Sequence, residues 1–333
     1  MDFKRIAHHA VRRWNEKRKA EKAAGTPRTA APQAGKLPKA ANLESALGSF
    51  LAGRYGFRFN VLTGATEFRC LPDKENGTFR PVTERDLNAV CLEAHRHGID
   101  CWDRDVARMV HSADVPEYHP FRQYFQRLPA WDGRDRLHEL AARVSDSPLW
   151  TQAFHRWMLG LAAQWAGLSD GLHAHSTAPL LVSDEQGLGK STFCRALLPP
   201  ELQAYYTDSV DLARPDKVER QLTEMGLLNL DEFDRIPEKK HPLLKNLMQL
   251  SALNLRKAYQ RHGQALPRIA SFIGTSNSRE LLSDPSGSRR FICVLVEHPI
   301  DSTGIDHAQI YAQLKAELEN GERYWFSHGE ENA

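Results

Sequence analysis

Cysteine is scarce in this chain. There are five in 333 residues, and Cys70, Cys91, Cys101, Cys194 and Cys293 lie far apart. That scatter supplies neither a disulfide framework nor a paired zinc-ligand spacing. Long apolar runs are missing too: nothing approaches the roughly 18 consecutive hydrophobic residues of a membrane-spanning helix, so no membrane partner is expected. The N-terminus is basic but carries no apolar core or cleavage-site pattern, which argues against secretion and makes a reducing cytoplasm the expected setting. Neither sign of charge dominates, with 44 Lys and Arg against 42 Asp and Glu and a net charge of +2. What is present is ordinary for a globular protein, 41% hydrophobic and 26% charged residues. The length allows two domains, or one large core with an appendage.

The near-neutral total hides an asymmetry. Residues 1–40 hold 11 Lys or Arg against three acidic residues, a local +8 that leaves −6 on the rest. Asp2 to Lys22 could form a charged helix. Ala23 to Ala40 has almost nothing to bury and reads as a flexible linker. A basic arm on an acidic body can raise local affinity for nucleic acid, or serve only as a solubilising tail.

The most informative stretch is Leu180-Leu181-Val182-Ser183-Asp184-Glu185-Gln186-Gly187-Leu188-Gly189-Lys190-Ser191-Thr192. An apolar run ends in a polar turn with two glycines, and a helix-compatible segment follows. That is the strand, loop and helix of a phosphate-binding loop. In such a loop Gln186 to Thr192 wrap the phosphates, Lys190 reaches the β- and γ-phosphates, and Ser191 joins the coordination of Mg2+. The full pattern has Gly six residues before Lys190, where this chain has Asp184. A Gly-rich turn leading into a helix is the plain alternative.

Downstream segments repeat the design. Met225 to Phe233 is an apolar strand ending in Asp231 and Glu232, a carboxylate for Mg2+ and one to polarise an attacking water. Adjacent strand residues point to opposite faces, so the pair works only where the strand breaks into a loop. Arg268 to Asn277 is another buried strand, which would place Asn277 against the γ-phosphate. A cap or turn role is its alternative. Leu255 to His262 and Gln264 to Ile269 could be the arms of a projecting hairpin. Arg256, Lys257, Arg261 and His262 near its tip are candidates for phosphate contact. Arg289 and Arg290, ahead of a strand from Phe291 to Val296, could complete charge neutralisation at a γ-phosphate in the same subunit or across an interface. They could equally be a salt-bridged surface pair.

The N-terminal half is predicted to be smaller and mainly helical. Tyr55 to Phe68 reads as a hairpin turning at Thr63-Gly64. Thr83 and Asp86 set up a capping box before a helix stopped by Gly98. Cys101 to Val110 reads as a second helix, with Trp102, Val106, Met109 and Val110 on its buried side. Pro116 to Trp131 is an aromatic collar, and Arg134 to Val144 and Trp150 to Trp165 are helices. Trp157, Leu161 and Trp165 fall at helical spacing, as a core stripe or, less favoured, a stacking platform for bases. Ile310 to Asn320 is the terminal helix.

With these residues in place the chain resembles the virulence-associated protein E family, ATPases carried by prophages and other mobile elements. The resemblance runs from about Tyr55 to Phe326. It includes Pro116-Glu117-Tyr118-His119-Pro120, Leu128-Pro129-Ala130-Trp131-Asp132-Gly133, the Gln186 to Ser191 loop, Phe272 to Asn277 and Ser286 to Phe291. It implies a three-layer α/β P-loop NTPase core of the kind in AAA+ and superfamily 3 helicases. Lys190 and Ser191 are then the phosphate and metal residues, Asp231 and Glu232 the acidic pair, Asn277 the sensor, and Arg289 or Arg290 an arginine finger. Further implied are ATP and Mg2+ as cofactors, DNA (single-stranded or forked) as partner, a hexameric ring, and a primase or phage replication protein alongside. The expected organisation is a basic flexible arm over 1–40, a hairpin-plus-helices module over 41–115, a helical collar over 116–175 and the ATPase domain over 176–333. The competing reading is a nucleic-acid-binding regulatory or packaging protein that keeps the fold with weak or no ATPase activity.

Overall fold

A computed structural model describes residues 39–71, 78–169, 173–255, 263–279 and 290–326. The expected helix at Asp2 to Lys22 lies outside them, as do the linker up to residue 38, Arg256, Lys257, Arg261, His262 and Arg289.

The centre of the molecule is a five-stranded parallel sheet, order β11-β5-β10-β7-β6. Its strands are β5 (Ala178–Val182), β6 (Tyr206–Thr207), β7 (Leu227–Leu230), β10 (Ser271–Ser276) and β11 (Phe291–Leu295). Parallel strands need crossovers and are buried on both faces, so they read as continuous apolar runs. Alternate residues go to opposite faces. Leu181, Leu227, Ile273 and Val294 pack against α6 (Pro148–Ala166), α7 (Lys190–Ala196) and α10 (His307–Glu319). Leu180, Val182, Leu228, Leu230 and Phe272 pack against α8 (Pro215–Glu224) and α9 (His241–Gln249). The result is three layers, helix on sheet on helix.

Helix α6 is the long strut of the first layer. Ser147 caps it, Pro148 occupies its first turn, and Gly167 ends it at φ 73°. Trp157, Leu161 and Trp165 are fully buried, so this stripe is core and offers no platform for bases. Helices α4 (Pro120–Arg127) and α5 (Arg136–Ala142) pack onto the same cluster through Phe121, Phe125, Leu137 and Leu140.

The N-terminal module has its own core. Helix α1 (Lys39–Arg54), unanticipated in the sequence, contributes Leu47 and Leu51. The predicted hairpin is β1 (Tyr55–Asn60) and β2 (Ala65–Cys70), extended by β3 (Arg80–Pro81) on one side. On the other side lies β4 (Glu117–Tyr118), parallel to β1. The capping box of Thr83 and Asp86 opens α2 (Glu84–Arg96), and α3 (Asp103–Val110) follows. Val106 and Val110 are buried as expected, but Trp102 is 54% exposed, a correction to its assignment. It sits one residue before α3, where the extended backbone of the cap points its side chain out of the helix's apolar stripe. The module also docks directly on the sheet domain. Asn60 Nδ2 donates to the Tyr205 hydroxyl at 2.8 Å, and Leu62 belongs to the main core. Among the described residues no helix is long and apolar enough to cross a membrane.

Candidate functional site

The C-terminal ends of β5, β10 and β7 are adjacent, and each runs into a polar loop. This is where an open parallel sheet offers its crevice. After β5, residues 183–189 turn back into α7. Gly187 and Gly189 hold φ 83° and 79°, a region that side chains with a Cβ rarely enter. Ser183 Oγ donates to the Glu185 carbonyl at 2.7 Å. The Ile300 amide donates to the Leu188 carbonyl at 2.9 Å, tying the loop to the segment beyond β11.

Lys190, the first residue of α7, points back beneath this loop and is 7% exposed. Its Nζ donates to Ser183 Oγ at 2.5 Å, to Asn277 Oδ1 at 3.0 Å and to the Glu185 carbonyl at 3.3 Å. Burial lowers its pKa, while Asp234, Asp231 and Asp184 pull the other way. Ser191 Oγ donates to Asp231 Oδ1 at 2.7 Å, and Thr275 Oγ1 donates to the same oxygen at 2.6 Å. Three strand ends and one helix start are thereby joined through side chains far apart in sequence.

Asp231 follows the last residue of β7, and Glu232 takes a left-handed conformation at φ 51°, the positive φ of a non-glycine among the described residues. That turn is the break in the strand which the Asp-Glu pair requires. Such a conformation costs on the order of 1–3 kcal/mol and persists where its surroundings enforce it. Here the Glu232 amide donates to Thr275 Oγ1 at 3.3 Å, and Arg235 Nη1 holds Glu232 Oε2 at 2.6 Å. Asn277 is fixed by Asp234, whose Oδ1 accepts from the Asn277 amide at 3.0 Å and from Ser276 Oγ at 2.9 Å. Desolvation works against the Asp234 carboxylate, but these two hydrogen bonds outweigh it and leave its pKa below the ordinary value.

Gln186 to Thr192, Asp231, Glu232, Thr275 and Asn277 line one cavity of about 320 Å³. Asp184 does not point into it unpaired: its Oδ2 lies 2.7 Å from Arg279 Nε, an ion pair at the loop's edge. Arg290 is not brought into the group. Phe291 pairs with Ala178 at the start of β5, while the loop follows Val182 at its end. At about 3.3 Å per residue, Arg290 starts roughly 15 Å from the loop, at the opposite edge of the sheet. An antiparallel pair is formed by β8 (Ala252–Leu255) and β9 (Gln264–Pro267); the expected first arm shares only Leu255 with β8, and its other residues lie outside the described ones.

Sequence reasoning missed Ser183, Thr275, Asp234 and Arg279. A Thr or Ser within an apolar strand carries little signal alone. The detectable cue was position: each lies within two residues of a strand end already singled out.

The chain matches the Virulence-associated protein E-like domain over residues 125–333, more than half of its length. It belongs to that family. Among solved structures, the chain is similar to the apo structure of the NrS-1 C terminal region, at 13% identity and a TM-score of 0.48, covering 87% of this chain and 71% of that one. A second form of that region gives a TM-score of 0.46 at 13% identity over the same shares. A protein titled SCCmec type IV Cch, active helicase, matches at 12% identity and a TM-score of 0.31, covering 80% of this chain and 60% of that one. No curated protein matches.

Proposed function

We propose that this chain of the virulence-associated protein E-like family is a P-loop ATPase. It would hydrolyse ATP with Mg2+ to move along, or remodel, single-stranded or forked DNA during replication of a mobile element. One observation carries the reading: Lys190, Ser191, Asp231, Thr275 and Asn277 meet through hydrogen bonds around one cavity at the C-terminal edge of a parallel sheet. Strand ends this distant in sequence converge where a triphosphate would be held by several groups at once.

The roles follow from the donors. Lys190, buried and ringed by neutral oxygens, exchanges Ser183 and Asn277 for phosphate oxygens. Ser191 and Asp231, a hydroxyl and a carboxylate oxygen 2.7 Å apart, are hard donors of the kind that suits Mg2+. The bound ion supplies neutralisation of phosphate charge. Thr275 orients Asp231. Glu232, its carboxylate held by Arg235 Nη1 at 2.6 Å, accepts a proton from the attacking water. Asn277, whose Oδ1 accepts from Lys190 until phosphate replaces it, offers its amide N–H groups to the terminal phosphate.

Arg290 cannot reach the cavity of its own chain. An arginine finger from this segment, Arg290 or Arg289, would then serve a neighbouring subunit in a ring, taken as a hexamer. The +8 arm and the basic residues Arg256, Lys257, Arg261 and His262 are the candidate DNA contacts, with a primase or phage replication protein as further partner. An unpaired Asp184 beside bound phosphates would favour the rival reading, a regulatory or packaging protein with weak or no turnover. Its pairing with Arg279 removes much of that support.

The test is the ATPase rate of assembled protein with and without single-stranded DNA, duplex DNA and RNA, beside Lys190→Ala. Turnover stimulated by single-stranded DNA is expected, with a loss of more than about 100-fold in Lys190→Ala. Failure to bind nucleotide with ATP, Mg2+ and DNA all present would overturn the ATPase reading. Turnover indifferent to every nucleic acid would overturn the DNA reading alone.

A further inference from the structure

The scattered cysteines do not stay scattered in the fold. Cys91 and His95 stand one turn apart on the same face of α2, and Cys101 lies on the short link between α2 and α3. Cys91 Sγ, a ring nitrogen of His95 and Cys101 Sγ all lie within 4.8 Å of one another. Cys91 Sγ and His95 Nε2 are 3.9 Å apart. Tetrahedral zinc with bonds of about 2.3 Å to sulfur and about 2.0 Å to nitrogen needs ligand atoms roughly 3.5–3.8 Å apart. The cluster is therefore at coordination spacing after small side-chain rotations.

We propose that Cys91, His95 and Cys101 form a zinc site that clamps the end of α2 to the start of α3. Two thiolates and an imidazole select a borderline-soft ion, and distinguish this site from the oxygen donors offered to Mg2+ some distance away in the sheet domain. Both cysteines are buried and His95 is exposed, so the ion has a way in and its thiolates are shielded. The Cys101 carbonyl accepts from His95 Nε2 at 2.6 Å and from Cys91 Sγ at 3.6 Å, which holds both side chains beside Cys101. On metal binding the ring gives up that hydrogen bond for coordination, both thiols release their protons, and water fills the fourth position.

The experiment is Co2+ titration of reduced full-length protein, with Zn2+ competition and metal analysis of protein purified without chelator. One equivalent of Co2+ should bring a thiolate-to-metal charge-transfer absorption that Zn2+ abolishes and excess Mg2+ leaves alone. Cys91→Ser and Cys101→Ser should each lose that absorption, while Cys70→Ser, outside the cluster, keeps it. His95→Ala truncates an exposed residue and should fold, as circular dichroism and the melting temperature will report. It should weaken Co2+ binding by more than about 100-fold, beyond what loss of an outer-shell partner costs. Absence of the absorption in reduced wild type, its survival in His95→Ala at unchanged affinity, or a Cys91–Cys101 disulfide in place of metal would each overturn the site.

Discussion

Replacing Thr275 by Val keeps the shape of a residue that is 3% exposed and removes only its hydroxyl. That hydroxyl makes two bonds, donating to Asp231 Oδ1 at 2.6 Å and accepting from the Glu232 amide at 3.3 Å. A hydrogen bond to a charged group contributes about 1.5–3 kcal/mol and a neutral one about 0.5–1.5 kcal/mol. Asp231 is exposed, so water replaces part of the first, and the second is long. The expected loss of folding stability is therefore about 1–2 kcal/mol, a fall of a few degrees in melting temperature. The functional loss should be larger. Without Thr275, Asp231 keeps only its bond to Ser191, and loss of such an orienting partner typically costs about 10–100-fold in metal affinity. The assay is ATPase rate against Mg2+ concentration at saturating ATP, with the melting temperature followed in parallel. Thr275→Val should need about 10–100-fold more Mg2+ for half-maximal rate, and Thr275→Ser, which restores the oxygen, should recover most of it. If Thr275→Val stays at the wild-type Mg2+ requirement, the assignment of Asp231 as a metal-holding residue oriented by Thr275 is wrong.

Further outcomes follow from the same geometry. Glu232→Gln should leave nucleotide binding within about twofold and lower turnover by about 100-fold or more, read by equilibrium binding beside single-turnover hydrolysis. Asp184→Gly should tighten nucleotide binding by a few-fold by freeing Arg279 and removing a negative charge near the loop, while Arg279→Ala should weaken it; equal effects of the same sign would contradict the ion-pair argument. His155 Nε2 lies 2.6 Å from Glu317 Oε2 and ties α6 to α10. Burial opposes its charge, but Glu317, Asp135 and Glu322 together hold its pKa above the ordinary value. A raised pKa in the folded state means the pair stabilises fully below the unfolded histidine value of about 6.5 and less as pH rises through the folded one. His155→Gln should flatten the dependence of melting temperature on pH in that window, and an unchanged profile would exclude the pair as its source.

Elements with a local signal were legible from the residues alone. Continuous apolar runs ending in small polar residues identified β5, β7 and β10, because strands buried on both faces cannot carry charge. Gly187 and Gly189 ahead of Lys190 marked the loop, since the backbone there must take positive φ. The capping box at Thr83 and Asp86 was legible for the same reason, two residues answering each other across one turn. Partnership between strand ends arises from how the strands assemble. Nothing in the local sequence of Thr275 says that its hydroxyl meets Asp231, or in that of Asp234 that it fixes Asn277; the strand order brings them together across 44 and 43 positions. The same holds for Asp184, whose neutralisation by Arg279 depends on β5 and β10 being neighbours. It holds also for Arg290, which register places at the edge away from the loop. Cys91, His95 and Cys101 make the point most simply. Their spacing fits no metal motif in one dimension, and a helix turn followed by a sharp link sets their donor atoms around one point, because side-chain direction follows backbone geometry, which no count of intervening residues encodes.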